Sequence, residues 1–136
     1  MILKNTTDEY SFILKPSKHG VGVFAVHGIK KGTLLKLLGP NHDDYIERSE
    51  VDVPVMFRPY CLSKGDGVLI CPRYFGQMSV EWFINHVGGG EATATSKDGI
   101  YHHAARDIEE GEEITIDYEV FGEDEHTKEA FYRKST

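Results

Sequence analysis

Apolar residues in this chain fall in short runs rather than at helical spacing. The windows YSFIL (10–14), VGVFAV (21–26), TLLKLL (33–38), GVLIC (67–71) and EITIDY (113–118) are alternating or continuously apolar, and each is bounded by Gly, Pro or charged residues. That pattern predicts strands joined by tight turns. Helical signals are few. Residues 78–84 have room for a helical turn or two, and 123–134 (EDEHTKEAFYRK) place acids first and bases last, as a helix dipole favours. Strands do not alternate with long helices, which argues against a doubly wound parallel sheet and for a mainly β domain.

An internal echo sharpens the picture. Ala25-Val-His-Gly-Ile29-Lys-Lys-Gly32-Thr-Leu-Leu35 and Ala104-Ala-Arg-Asp-Ile108-Glu-Glu-Gly111-Glu-Glu-Ile114 share the pattern A-x-x-x-I-x-x-G-x-x-[L/I], 79 residues apart. Each copy reads as a strand end, a buried Ile, a polar turn closed by a glycine suited to positive φ, and a second strand. Two copies are too few for a solenoid. They predict two similar strand–turn–strand corners in one domain.

Composition narrows the class. A chain of 136 residues supports one domain with one core, spanning 1–136. The formal net charge of −7 argues against direct nucleic-acid binding, which usually shows a basic face. No apolar run approaches the roughly 18 residues of a membrane span. The opening MILKNTTDEY lacks the basic-then-apolar order of a signal peptide. Cys61 and Cys71 form no C-x-x-C metal pair; their spacing lets them face each other across a hairpin, and they are expected to be free, buried thiols. These features predict a small, acidic, intracellular domain, cytoplasmic or nuclear, with no membrane association. Between 107 and 125 lie ten acidic residues and no Lys or Arg. That stretch is either a solvated, self-repelling edge or a negative field suited to a basic partner such as a lysine-rich peptide.

Three stretches carry candidate chemistry. Gly20-Val21-Gly22-Val-Phe-Ala25 fits the dinucleotide fingerprint G-x-G-x-x-[G/A]. The fingerprint requires a strand before it and a helix opening after it, and here the glycines lead into strand and turn, so that reading fails. What survives is a Gly-x-Gly at the mouth of a strand, where a ligand approaches the backbone or the chain merely bends. In Trp82-Phe83-Ile84-Asn85-His86, two polar residues follow an apolar run and lead straight to Gly88, Gly89 and Gly90. Asn and His are costly to bury without partners, and three glycines are costly to order. The segment is therefore either a surface turn or a loop that passes close to something. Tyr118 ends an alternating strand, a place where a Tyr usually just covers the core edge. His102 and His103 are neighbours on a strand and point to opposite faces, so no shared metal is expected.

Taken in order, these stretches resemble the SET-domain protein lysine methyltransferases. SKHGVGVFA at 17–25 is similar to the family's first motif, FINH at 83–86 to the core of its Asn-His-Ser motif, and Arg106-Asp-Ile through Asp117-Tyr118 to its final motif. Tyr60-Cys-Leu aligns with its Tyr-x-Phe strand, and Gly76 with the glycine before the Asn-His segment. The resemblance covers about 12–118. It implies a SET-type β-clip fold of several short sheets with a threaded pseudoknot, and transfer of a methyl group from S-adenosylmethionine to lysine. By the same resemblance, His19, Gly20, Val21, Gly22, Phe83, Asn85 and His86 bind the cofactor, Tyr118 is the catalytic tyrosine, and Tyr60 lines the lysine channel.

The chain departs from the family in places. It reads Asn-His-Val87-Gly-Gly-Gly-Glu91 where the family usually reads Asn-His-Ser-Cys-x-Pro-Asn, and it lacks the cysteine-rich zinc module that often follows. A cap on the site falls to 119–136, with Phe121, Phe131 and Tyr132 as its aromatics; a domain this small could also dimerise to finish its site. The alternatives are a SET-like binding or scaffold domain without catalysis and, more distantly, a β-rich adaptor for basic peptides.

Overall fold

The computed structural model describes residues 2–18, 20–37, 45–96 and 101–118. Among them are twelve short strands: β1 (Leu3–Lys4), β2 (Phe12–Ser17), β3 (Gly20–Ala25), β4 (Gly28–Ile29), β5 (Leu34–Leu35), β6 (Tyr45–Ser49), β7 (Leu62–Gly65), β8 (Val68–Pro72), β9 (Asn85–His86), β10 (Ala94–Thr95), β11 (His102–Ala104) and β12 (Glu113–Ile116). They form four small sheets, ordered β1-β4, β10-β11-β5, β2-β3-β12-β9 and β6-β8-β7. This is the mainly β architecture that the apolar runs predict, divided into several short sheets as the family resemblance implies.

The differences from expectation are local. Within the described part of the 33–38 run, residues 33–37, the strand covers only Leu34–Leu35, because the chain turns there and Leu37 N–H donates to the Leu35 carbonyl at 2.9 Å. The 78–84 segment holds a single 3₁₀ turn, Val80–Phe83, which follows Ser79 without a side-chain cap. So short a turn leaves the chain free to enter β9 two residues later. The β6 segment YIERS was not among the expected strands; its exposed and half-buried positions alternate. The 123–134 helix lies outside the described residues, as does the proposed cap at 119–136. Among the described residues no helix is long and apolar enough to cross a membrane.

The internal echo becomes a local two-fold. Ile29 and Ile108 exchange both backbone hydrogen bonds, at 2.8 Å each, in an isolated antiparallel bridge. The flanking bonds repeat across it. Gly111 N–H donates to the Ala25 carbonyl at 2.9 Å and Gly32 N–H to the Ala104 carbonyl at 2.8 Å. Ala25 N–H reaches Glu112 and Ala104 N–H reaches Thr33, both at 2.9 Å. Gly32 and Gly111 share a left-handed turn, with φ of 86° and 88°. The two corners therefore clasp each other, with Ile29 and Ile108 both at 0% exposure.

The main core gathers around that clasp from Val23, Leu35, Ile84, Ala94, Ile114, Ile116 and their neighbours. β12 runs between β3, antiparallel, and β9, parallel, so Ile114, Thr115 and Ile116 are all buried rather than alternating. The buried polar Thr115 is satisfied by Thr93: each backbone N–H donates to the other's Oγ1, at 3.1 and 2.9 Å. A smaller cluster joins Leu69 and Cys71 of β8 to Val53, which follows the 3₁₀ turn Glu50–Asp52.

Candidate active site

The parallel pairing of β12 with β9 aligns Thr115 with Asn85 and Ile116 with His86. The strand ends at Ile116, not at 118, because the next residues turn to side-chain partners. Tyr118 N–H donates to His86 Nδ1 at 2.9 Å, and the two rings lie 5.1 Å apart. A ring nitrogen that accepts a backbone N–H carries no proton itself, so the neutral His86 holds its proton on Nε2. Asp117 Oδ1, 3.8 Å from the same nitrogen, is too far for a hydrogen bond. At the other end of the tyrosine, the Tyr118 hydroxyl donates to the Ile84 carbonyl at 2.6 Å. Tyr118 is thus fixed at both ends against the Ile84–His86 segment and packs on the main core.

Asn85 joins this segment to the Gly-x-Gly strand. Its Nδ2 faces three oxygens: Glu113 Oε2 at 2.7 Å, Ser17 Oγ at 2.9 Å and the Val21 carbonyl at 3.1 Å. Gly22 lies beneath the same cluster, where an added Cβ would meet Glu113 Oε2 at 2.5 Å and the Ser17 Cβ at 2.9 Å. Gly20 differs: it has a φ of 103°, and open space where a Cβ would be. The glycine run after His86 combines left-handed backbone with a contact to the His86 ring. Gly89 and Gly90 adopt φ of 69° and 78°, and Gly88 packs on the His86 ring, where an added Cβ would lie 3.4 Å from Nε2.

Val21, Gly22, Asn85, His86 and Tyr118 are therefore brought together. Phe83 and Tyr60 adjoin them. Phe83 is half-buried, and Tyr60 ends the 3₁₀ turn Val55–Tyr60 with its ring edge-on to Phe83 at 6.2 Å. His19 lies outside the described residues. So does part of the loop on which the threaded crossing would depend. Ser17, Ile84 and Glu113 are members of the cluster that the sequence did not single out. All three fall inside the quoted motif stretches, but nothing local says that they meet.

The remaining candidates separate from this site. His102 is buried at 2% and His103 is exposed, on opposite faces as expected. Among the described residues no group of three or more His, Cys, Asp or Glu could hold a metal ion. Cys61 and Cys71 are both free and oppose each other where the β7–β8 register is continued from Leu62↔Ile70. Only Cys71 is fully buried; Cys61, expected to be buried, is partly exposed at the strand end. Burial, then the hydrogen bond shared with Cys71, pushes the Cys61 thiol up to about 12. The acidic edge is partly neutralised from outside it. Arg106 donates to both carboxylate oxygens of Glu112, at 3.2 and 2.9 Å. That contact holds the Glu112 carboxyl below its ordinary range.

Comparison with known proteins agrees with this architecture. The SET domain profile matches residues 20–119. The chain belongs to the SET-domain family. A candidate histone methyltransferase of Plasmodium falciparum superposes with a TM-score of 0.53 at 20% identity, covering 82% of this chain and 95% of that one. Autoinhibited ctPRC2 bound to S-adenosylmethionine gives 0.53 at 18% identity, over 79% of this chain and 15% of that one. A humanised mutant of Chaetomium thermophilum Polycomb Repressive Complex 2, bound to the inhibitor GSK126, gives 0.52 at 19%, over 79% and 14%. At such identities the likeness is one of fold. No curated protein sequence matches the chain.

Proposed function

We propose that this chain is an S-adenosylmethionine-dependent protein-lysine N-methyltransferase acting on a basic protein or lysine-containing peptide. The observation that carries this reading is Tyr118, clamped by the Ile84 carbonyl and by His86 beside the Asn85–Gly22 cluster. The residues present fit the cofactor. Three oxygens around Asn85 Nδ2 hold its amide and leave Oδ1 as an acceptor suited to an ammonium group, and Gly20 offers open space where a side chain would be. Asn85, His86 and the backbone of His19 to Gly22 would hold the cofactor, with Phe83 against it. When bound, S-adenosylmethionine supplies an electrophilic methyl group on a sulfonium centre.

The chain's own contribution is alignment and exclusion of water. The Tyr118 proton is committed to Ile84, so towards an incoming amine the phenol oxygen acts as an acceptor and orients its N–H. Tyr60 and Phe83 offer an apolar wall beside it. Neutralising a lysine with a free pKa near 10.4 at pH 7 costs roughly 4.6 kcal/mol. Desolvation in an apolar channel near a positive charge lowers that cost, and alignment of the reactants can supply about 7–11 kcal/mol. The acidic residues from Asp107 onward favour a basic substrate, and the intracellular setting and a homodimer that completes the site belong to the same reading.

The test is calorimetric titration of S-adenosylmethionine, followed by methyl transfer to a lysine-rich peptide. Saturable one-to-one binding with transfer supports the enzyme. Absence of binding at millimolar cofactor refutes it and leaves a SET-like scaffold for basic partners.

A further inference from the structure

Glu113 is a half-buried carboxylate, and its side chain's hydrogen-bond partner among the described residues is the Asn85 amide. No Lys or Arg pairs with it among the described residues. The same carboxylate decides which way Asn85 points. The Val21 carbonyl and the Glu113 carboxylate can only accept, whereas the Ser17 hydroxyl can donate or accept. Reversing the amide would set Oδ1 against three oxygens at 2.7 to 3.1 Å. Without Glu113, one carbonyl and one ambivalent hydroxyl remain to resist that reversal.

We infer that Glu113 is a positioning residue: it fixes the Asn85 amide with Oδ1 towards the ligand, so that the site selects the α-ammonium of the cofactor's amino-acid end. This rests on the cofactor reading above and adds to it a residue and a selectivity. The shared space of Gly22 and Glu113 follows from it, because a side chain at Gly22 would displace the carboxylate.

Calorimetry with three ligands tests the inference: S-adenosylmethionine and S-adenosylhomocysteine, which carry the ammonium, and methylthioadenosine, which lacks the amino-acid end. Glu113→Ala is expected to weaken the first two by at least about tenfold, as for a lost charge-assisted hydrogen bond, and to leave the third unchanged. Glu113→Gln, whose side-chain carbonyl still accepts from Asn85, is expected to restore most of the loss. Where the alanine variant does not fold in a thermal melt, Glu113→Asp, which withdraws the carboxylate, replaces it. Equal loss for all three ligands, no loss, or no rescue by glutamine overturns the positioning role alone. Failure of the unmodified chain to bind any of the three overturns the cofactor reading and this inference with it.

Discussion

Gly22 and Glu113 share one space: a Cβ on Gly22 would lie 2.5 Å from Glu113 Oε2. The second glycine of the Gly-x-Gly motif is therefore crowded by a carboxylate from a strand 91 residues further along the chain and by the Ser17 Cβ, 2.9 Å away. Gly22→Ala should force Glu113 off Asn85. The expected cost is on the order of 1–3 kcal/mol in urea denaturation, together with weaker cofactor binding. A variant as stable as the parent would show that the carboxylate yields freely.

Tyr118→Phe removes the hydroxyl that donates to Ile84 at 2.6 Å. Stability should fall by about 0.5–1.5 kcal/mol. Cofactor affinity should hold while turnover falls by about a hundredfold or more, the usual scale for lost alignment. Stopped-assay methyl transfer and calorimetry on the same preparation separate the two effects. Undiminished turnover would remove Tyr118 from the chemistry.

The Ile29–Ile108 clasp should dominate stability. Both side chains are at 0% exposure, so Ile29→Ala and Ile108→Ala should each cost about 2–5 kcal/mol. Because the two residues exchange backbone bonds and share a core, the double variant should depart from the sum of the singles. Chemical denaturation of all four forms measures this.

Glu112 sets a pH dependence. Its folded-state pKa lies below its ordinary value of 4.5, chiefly through the hydrogen bond from Arg106. The stabilisation is therefore fully present above pH 4.5 and is lost as pH falls through the lower, folded value. The pair is near the surface, so its worth is no more than about 1 kcal/mol. Melting curves of the parent and Glu112→Gln should differ at pH 7 and converge in acid; a gap that persists in acid would point to lost packing instead.

Cys61 should react slowly with thiol reagents in the native state. Its thiol is pushed up to about 12 by burial and by Cys71, and the thiolate is the reactive form. At pH 8 the aromatic-disulfide assay should register both thiols only as the chain unfolds. Rapid labelling of the folded protein would contradict this environment for Cys61.

The more apolar strands β2, β3, β5, β8 and β12, the corner echo and the Gly-x-Gly, Asn-His and Asp-Tyr segments were legible in the sequence because each depends on local pattern: apolar runs, turn glycines and motif order. The opposed faces of His102 and His103 follow from strand geometry alone. The length of the Leu34–Leu35 strand and the 3₁₀ character of Val80–Phe83 were less legible, since tertiary contacts decide where so short an element stops.

What the sequence determined by itself is thus the class of fold and the motif segments from which the candidate site is built. Only the tertiary structure decided that Ile29 pairs with Ile108, that Asn85 meets Ser17 and Glu113, and that Tyr118 is held by Ile84 and His86. Those contacts join residues 28 to 79 positions apart, or 32 and 34 for the tyrosine. A hydrogen bond forms where donor and acceptor converge in space, and local periodicity carries no record of that convergence. It arises here when β12 is inserted between β3 and β9, which brings three separate motifs to one place.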